Sequence, residues 1–269
     1  MTGVRFIGRL GNQLFQYHFL MYLKSRRPGG FYFFPNPHHA YLARYFDLGW
    51  YHNLTLGSRL YSVIMRCIPK ILRFRYIQVH NFVAPRDFIP QSRCIYDGYF
   101  QSDYYLKNTD IPVKIRIRQQ YVAQFRALYG DLFDQHRVVV VHIRRTDYLS
   151  YGKRDIALPM SYFKRELANI PDLEQYKVIL VSDDIAFVKQ AFDHHPDYLF
   201  VSNSEIVDFQ LISNADIAII SNSTFSWWAA YLSTRNKRVI APANWLGFRI
   251  GREHPKGIMT DRFEWVEVF

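Results

Sequence analysis

The 269-residue chain has only two cysteines, Cys67 and Cys94. That is too few for a disulfide framework, and a reducing compartment is the simpler expectation. No uninterrupted apolar run is long enough to span a bilayer. The N-terminus lacks the basic-then-apolar order of a signal peptide, because a Gly/Asn/Gln turn interrupts it at Gly11–Gln13. From these absences a cytoplasmic location is expected. Neither GxxxxGK[ST] nor GxGxxG occurs, which excludes the standard nucleotide-binding loops. Acidic residues are missing from one long stretch: none lies between Asp47 and Asp87.

What is present is apolar, aromatic and basic. The composition is 49% hydrophobic, 17% aromatic and 21% charged, enough to build a large core, and wholesale disorder is excluded. The formal net charge is +11. Residues 1–135 hold 18 Lys/Arg against 7 Asp/Glu, while residues 136–269 hold 16 of each, so the excess lies in the first half. Such an excess suits nucleic acid, a membrane surface or a phosphorylated ligand.

The second half is the more regular. Arg137–Ile143 is a continuous β-branched run, as expected of a buried parallel strand. Tyr176–Val181, Ala215–Ile220 and Lys237–Ala241 repeat that signature, with helical stretches near 161–169, 185–193, 205–213 and 224–234 between the strands. Ser204 stands where it can cap the third helix. Strands alternating with helices predict a Rossmann-like doubly wound sheet, which binds ligands beyond the carboxyl ends of its strands. In the first half, Val4–Ile7 reads as a strand, a helix runs to about Arg27, and Phe31–Phe34 reads as a second strand. Residues 35–56 read as irregular, and 111–134 as strand or linker followed by helix. The expected domains are 1–135 and 136–269.

Four polar clusters fall beside these strands. His142-Ile-Arg-Arg-Thr-Asp147 delivers two arginines to a strand end, as an anion site or as a surface salt-bridge cluster. Asp147, three residues beyond Arg144, is placed to orient one guanidinium. Ser221-Asn-Ser-Thr-Phe-Ser226 opens a helix, where hydroxyls and backbone N–H groups form a phosphate cradle or an ordinary multi-serine cap. Trp227 and Trp228 follow, and core packing is the expected role for them. Ser182-Asp183-Asp184 offers a guanine reader, a metal ligand pair or a helix cap, the cap being favoured by pattern alone. Gly8-Arg-Leu-Gly-Asn-Gln13 is a glycine turn with Asn12 either as N-cap or facing a ligand.

Together with Gly98–Ser102 (GYFQS), and in this order, the clusters resemble the glycosyltransferase family eleven α-1,2-fucosyltransferases. The resemblance runs from residue 8 to about 245. It implies an α/β, GT-B-type fold with two Rossmann-like domains facing a cleft. The first domain would be the acceptor side, and the second would bind GDP-β-L-fucose. It implies inverting, metal-independent transfer of fucose to the 2-hydroxyl of a galactoside. Fucosyl transfer to another acceptor or linkage is the alternative. Carried over residue by residue, Arg144 and Arg145 match the arginines near the diphosphate, and His142 touches the nucleotide. Asp183, with Asp184, reads guanine. Ser221, Asn222, Ser223, Thr224, Phe225 and Ser226 form the hydroxyl loop. Arg9, Gly11, Asn12 and Gln13 face donor sugar and acceptor, and Tyr99, Phe100 and Gln101 line the acceptor side. Arg145, Asn12 and Asp147 are the expected catalytic residues, with Asp97, Asp103 and Asp155 as other carboxylates for the general base.

The basic first half carries a further signal. Arg59, Arg66, Lys70 and Arg73 share one helical face, and Leu60, Val63, Ile64, Cys67, Ile71 and Leu72 fall largely elsewhere. This basic amphipathic pattern suits a peripheral contact with the inner membrane face and a glycolipid acceptor, or a solvated face on a core-packed helix. Pro69 would kink or end that helix. A non-enzymatic alternative, a basic nucleic-acid-binding protein, rests on charge and aromatic content alone, because no RRM, helix-turn-helix or zinc signature is present.

Overall fold

The computed structural model describes residues 1–113, 115–235 and 237–269. It divides into two compact units. Unit 1 comprises Met1–Arg118 with His254–Ile258, and unit 2 comprises Gln119–Glu253 with Met259–Phe269. The division therefore falls after Arg118 and not near residue 135. The reason is the helix Gln119–Gln135, which buries Phe125 and Phe133. Its Tyr121 carbonyl accepts from Gln210 Nε2 (3.0 Å) and its Phe133 carbonyl from Arg235 Nη1 (2.9 Å), both in unit 2.

The strands in chain order are β1 (Thr2–Val4), β2 (Tyr32–Phe33), β3 (Phe46–Asp47), β4 (Arg75–Val79), β5 (Cys94–Gly98), β6 (Arg116–Ile117), β7 (Arg137–Ile143), β8 (Tyr176–Ser182), β9 (Tyr198–Val201), β10 (Ile217–Ile219), β11 (Arg238–Pro242) and β12 (Glu264–Val266). Unit 1 holds a parallel sheet of order β2-β1-β5-β4 and a small antiparallel pair, β3 with β6. Its longest helix, Leu10–Arg26, is buried on nearly every face, which accounts for its weak amphipathic pattern. Aromatic pairs close the core around it: Phe19 stacks on Phe100 at 3.8 Å, and Phe6 on Phe34 at 3.9 Å.

Unit 2 holds a six-stranded parallel sheet, β12-β11-β10-β7-β8-β9. Counted from β7, this is the order 3-2-1-4-5-6 of a dinucleotide-binding Rossmann sheet. The register pairs Val139 with Ile217 and with Val178, so the Val-rich run sits at the centre. Val138, Val139, Val140 and Val141 are fully buried, as a strand covered on both faces requires. The sheet order reverses between β7 and β10, and a crevice for ligand is expected beyond their carboxyl ends. No helix among the described residues is long and apolar enough to cross a membrane.

Candidate active site

In unit 2 three loops follow the carboxyl ends of β7, β8 and β10. His142, near the end of β7, and Ser221, just past β10, meet at 2.9 Å between Nδ1 and Oγ. Burial drives the imidazole pKa down to about 3, with Arg144 adding to the shift and Asp183 opposing it. A neutral, hydrogen-bonded histidine is a structural group, not a general base at neutral pH.

The two arginines are each held by carboxylates. Asp147 Oδ1 accepts from Nε and Nη2 of Arg144, both at 2.8 Å, and Asp183 Oδ2 lies 3.2 Å from its Nη1. Burial works against the Arg144 charge, and Asp147 and Asp183 more than restore it, so its pKa stands above the ordinary value. Arg145 donates from Nε to Asp184 Oδ2 (3.1 Å) and lies 3.5 Å above the Phe187 ring, while its backbone N–H donates to Asp183 Oδ1 (2.9 Å). Thr146 Oγ1 also donates to Asp183 Oδ2. Asp184 is the N-cap of the helix Ile185–Ala191, as the pattern suggested. In this structure Asp183 braces the arginine loop, leaving one lone-pair direction of Oδ1 for a ligand donor.

The hydroxyl loop is less open than its sequence suggests. Ser221, Asn222, Ser223 and Ser226 are all buried. Ser226 Oγ donates to the Ser221 and Ser223 carbonyls (3.2 and 3.0 Å), and Asn222 Nδ2 donates to the Ile156 carbonyl (2.9 Å). The hydroxyls of Ser221 and Ser226 thus shape the loop. What the loop presents is the first turn of the helix Thr224–Tyr231, whose leading N–H groups have no intrahelical acceptor, together with half-buried Thr224 and Phe225. Ser223 is the N-cap residue without a side-chain cap bond. Trp227 and Trp228 are fully buried core, as expected.

In unit 1 the glycine loop follows β1. Gly8 has φ of +73°, and Arg9, exposed, is the N-cap of the helix starting at Leu10. Asn12 is therefore not the cap: it stands in the first turn, and its Oδ1 accepts from Gln101 Nε2 at 2.8 Å. Gly11 is buried in the same turn. Gln13 is not available to a ligand, because its amide donates to the Gly8 and His39 carbonyls (3.2 and 2.6 Å) and accepts from Leu42 N (3.1 Å). Phe100 is core against Phe19 instead of an acceptor contact, while Tyr99 is half-buried. Gly98 is the last residue of β5, and a Cβ there would meet the Val79 carbonyl oxygen at 2.5 Å.

Each carboxylate considered as a base is in an ion pair. Besides Asp147 with Arg144, Asp97 pairs with Arg5 (3.0 Å), Asp103 with Lys107 (2.8 Å) and Asp155 with Arg249 (3.4 Å).

Several contributors were missed from sequence. Tyr148 donates to the Asn222 carbonyl at 3.3 Å, tying the arginine loop to the hydroxyl loop, and burial raises its phenol to about 12. Gln16 accepts from Ile7 N (3.0 Å) and donates to Gly98 O (3.1 Å), joining the glycine loop to the GYFQS segment. Phe187 stands three residues beyond Asp184 and Gln16 three beyond Gln13, and that nearness to the clusters was the available signal.

The family model for glycosyl transferase family 11 matches residues 1–267. The chain belongs to that family. That membership speaks against the nucleic-acid-binding alternative. Over 114 residues it is 39% identical to the O-antigen biosynthesis glycosyltransferase WbnK of Escherichia coli, covering 39% of this chain and 38% of that protein. An Escherichia coli alpha-1,2-colitosyltransferase is 35% identical over 123 residues, 40% of each chain. A putative galactoside 2-alpha-L-fucosyltransferase of Caenorhabditis elegans is 29% identical over 121 residues, 39% of this chain and 33% of that one. The matched stretches thus span two fifths or less of these relatives. The fold is GT-B-like: the fucosyltransferase NodZ from Bradyrhizobium superposes with a TM-score of 0.52 at 15% identity, over 88% of this chain and 93% of that one. A NodZ alpha-1,6-fucosyltransferase crystal soaked with GDP-fucose gives 0.52 at 17% identity, over 90% and 94%.

Proposed function

We propose that the protein transfers L-fucose from GDP-β-L-fucose to the 2-hydroxyl of a galactoside, with inversion and without a metal. The observation that carries the reading is the pair Arg144 and Arg145, each fixed by a carboxylate beside the switch point of a Rossmann sheet. Fucosyl transfer breaks the bond between C1 of the sugar and the β-phosphate oxygen, and forms a bond from the acceptor oxygen to the opposite face of C1. The acceptor hydroxyl proton is released, and GDP departs with growing negative charge. Prepositioned guanidinium groups and the N–H groups at Thr224 stabilise that charge, the task a metal performs in other enzymes. Asp183 and Asp184, which would otherwise suit a cation, are engaged by the arginines. Asp183 Oδ1 retains one acceptor direction for a guanine edge. The relatives' names support the 2-linkage: one is an alpha-1,2-colitosyltransferase and another a putative galactoside 2-alpha-L-fucosyltransferase. The test is incubation with GDP-fucose and lactose in EDTA. GDP release with a 2′-fucosylated product is expected, and no turnover on any galactoside would sink the reading.

The reading includes a peripheral membrane contact for an acceptor carried on a lipid. The helix Arg59–Ile71 buries Ser62, Met65 and Pro69 and turns Leu60, Val63, Ile64 and Ile71 outward, beside exposed Arg59, Arg66 and Lys70. The apolar stripe thus faces away from the body, unlike that of a core-packed helix, and its basic flank complements anionic headgroups. Flotation with phosphatidylglycerol-containing vesicles should carry the wild type and lose Ile64→Glu. Equal flotation of both, or none of either, would reject the contact.

A further inference from the structure

A cavity of about 600 Å³ opens in unit 1, lined wholly by residues of that unit. It lies beyond the carboxyl ends of β1 and β2. Its fixed cations are Arg5, Arg9 and Arg44, with the rings of His38 and His39 beside them, and none of the described residues lining it is a carboxylate. We propose that this cavity binds an anionic group, a carboxylate or phosphate, carried by the sugar acceptor.

Three observations point that way. The first is the one-signed lining. Arg5 reaches Asp97 at 3.0 Å, but that acid is not part of the cavity wall. Burial leads the lowering of the His38 pKa, and repulsion from the neighbouring His39 and Arg66 adds to it. An anion relieves that repulsion. The second is preorganisation. Asn36 clamps Phe6 by accepting from its N–H (2.9 Å) and donating to its carbonyl (2.8 Å). Gln13 ties the Gly8 and His39 carbonyls and the Leu42 amide together across the cavity wall. The basic side chains therefore hang from a stapled frame and not from a mobile loop. The third is donor chemistry. A neutral sugar presents hydroxyls that need acceptors as well as donors, and arginine supplies donors only. Three arginines in one cavity match a carboxylate or phosphate instead. The diphosphate has its own arginines in unit 2, so Arg5 and Arg44 exceed what the donor calls for.

The ligand's identity as an acceptor rests on the fucosyl-transfer reading, and the experiment separates the two. With GDP at saturation to fill the donor site, calorimetry would measure binding of lactose, of galactosyl-glucuronate and of lactose 6-phosphate. The variant is Arg44→Gln, at an exposed position. The wild type should bind at least one acidic disaccharide about tenfold more tightly than lactose, as a charge-assisted contact implies. Arg44→Gln should remove most of that preference and leave lactose binding unchanged. Preference for the glucuronate over the phosphate, or the reverse, identifies the source of the charge. Equal affinity for all three sugars overturns the proposal, and so does a preference that Arg44→Gln leaves intact. Turnover of lactose with GDP-fucose in the same preparation reports on fucosyl transfer by itself.

Discussion

His142 Nδ1 and Ser221 Oγ lie 2.9 Å apart, bridging β7 and β10 where the sheet order of unit 2 reverses. Both residues are buried, so the bond has no water to replace it. It sets the spacing between the arginine loop, which begins two residues after His142, and the hydroxyl loop, which begins at Ser221. Ser221→Ala leaves a ring nitrogen buried without its partner. The expected cost is about 1–3 kcal/mol, read as a lower urea midpoint with an unchanged slope. GDP affinity should fall with it. An unchanged midpoint would mean the pair contributes nothing to holding the crevice.

Arg145→Ala should lower kcat by about 10²–10³, by analogy with deletion of one preorganised oxyanion donor. The fold should survive, because the Arg145 guanidinium lies on the surface of Phe187 and is paired with only partly buried Asp184. Arg145→Lys keeps a charge but loses the planar stack and the fork, and most of the loss should remain. Wild-type kcat in either variant would remove Arg145 from the leaving-group site.

Asp147 is tested by its pH profile. Its Oδ1 is shared by two nitrogens of Arg144, so Asp147→Asn should slow turnover about tenfold, within the range of a weakened positioning contact, and leave the acidic limb of the rate profile in place. Loss of that limb, with a drop beyond about 10³, would identify Asp147 as the base instead.

The legible and illegible parts of the chain differ for physical reasons. Arg137–Ile143 was found to the residue because a central parallel strand must be apolar along its whole length. β9 and β12 were missed: each is short, lies at an edge and is only partly buried, β9 being an apolar run of only four residues and β12 beginning at a charged one. The boundary misplacement has a different source: the helix was expected within 111–134, but Gln119–Gln135 buries only three residues, so its sequence does not show that it packs with unit 2. At the site, charged types at strand ends revealed Arg144, Arg145 and Asp184. Burial was not legible: nothing in the spelling of SNSTFS separates Ser221 and Ser226, whose hydroxyls shape the loop, from Thr224, which is partly open. Ser204 is likewise the N-cap of Glu205–Asn214 by position, but its hydroxyl makes no cap bond.

Gly8→Ala probes the loop of unit 1. The residue has φ of +73°, and a Cβ would stand 2.4 Å from Asn12 Nδ2. Alanine in that backbone region costs about 1–2 kcal/mol, and the side-chain contact forces Asn12 away from Gln101. The substitution should lower the thermal midpoint and raise the acceptor KM more than the donor KM. An unshifted acceptor KM would detach Asn12 from acceptor positioning.

Acid stability follows from two buried histidines, one in each unit. Burial lowers His18 in unit 1 and His142 in unit 2 to about 3 each, against an ordinary value near 6.5. Their folded forms stay neutral where the unfolded chain takes up protons. Stability is therefore complete above about pH 6.5 and falls as pH drops toward 3, by about 1.4 kcal/mol per pH unit for each such proton. Asp208 works in the opposite sense. Burial raises it to about 6, so between there and its ordinary value the folded chain holds a proton that the unfolded chain lacks, and falling pH favours the fold. In unit 2 that offsets His142 across the window from about 6 to 4, while unit 1 has no such offset from Asp208. Acid unfolding should therefore begin in unit 1. His18→Phe should flatten the pH dependence of stability below 6.5, measured by chemical denaturation from pH 7.5 to 4.5. A slope unchanged by that substitution would show that His18 does not set it.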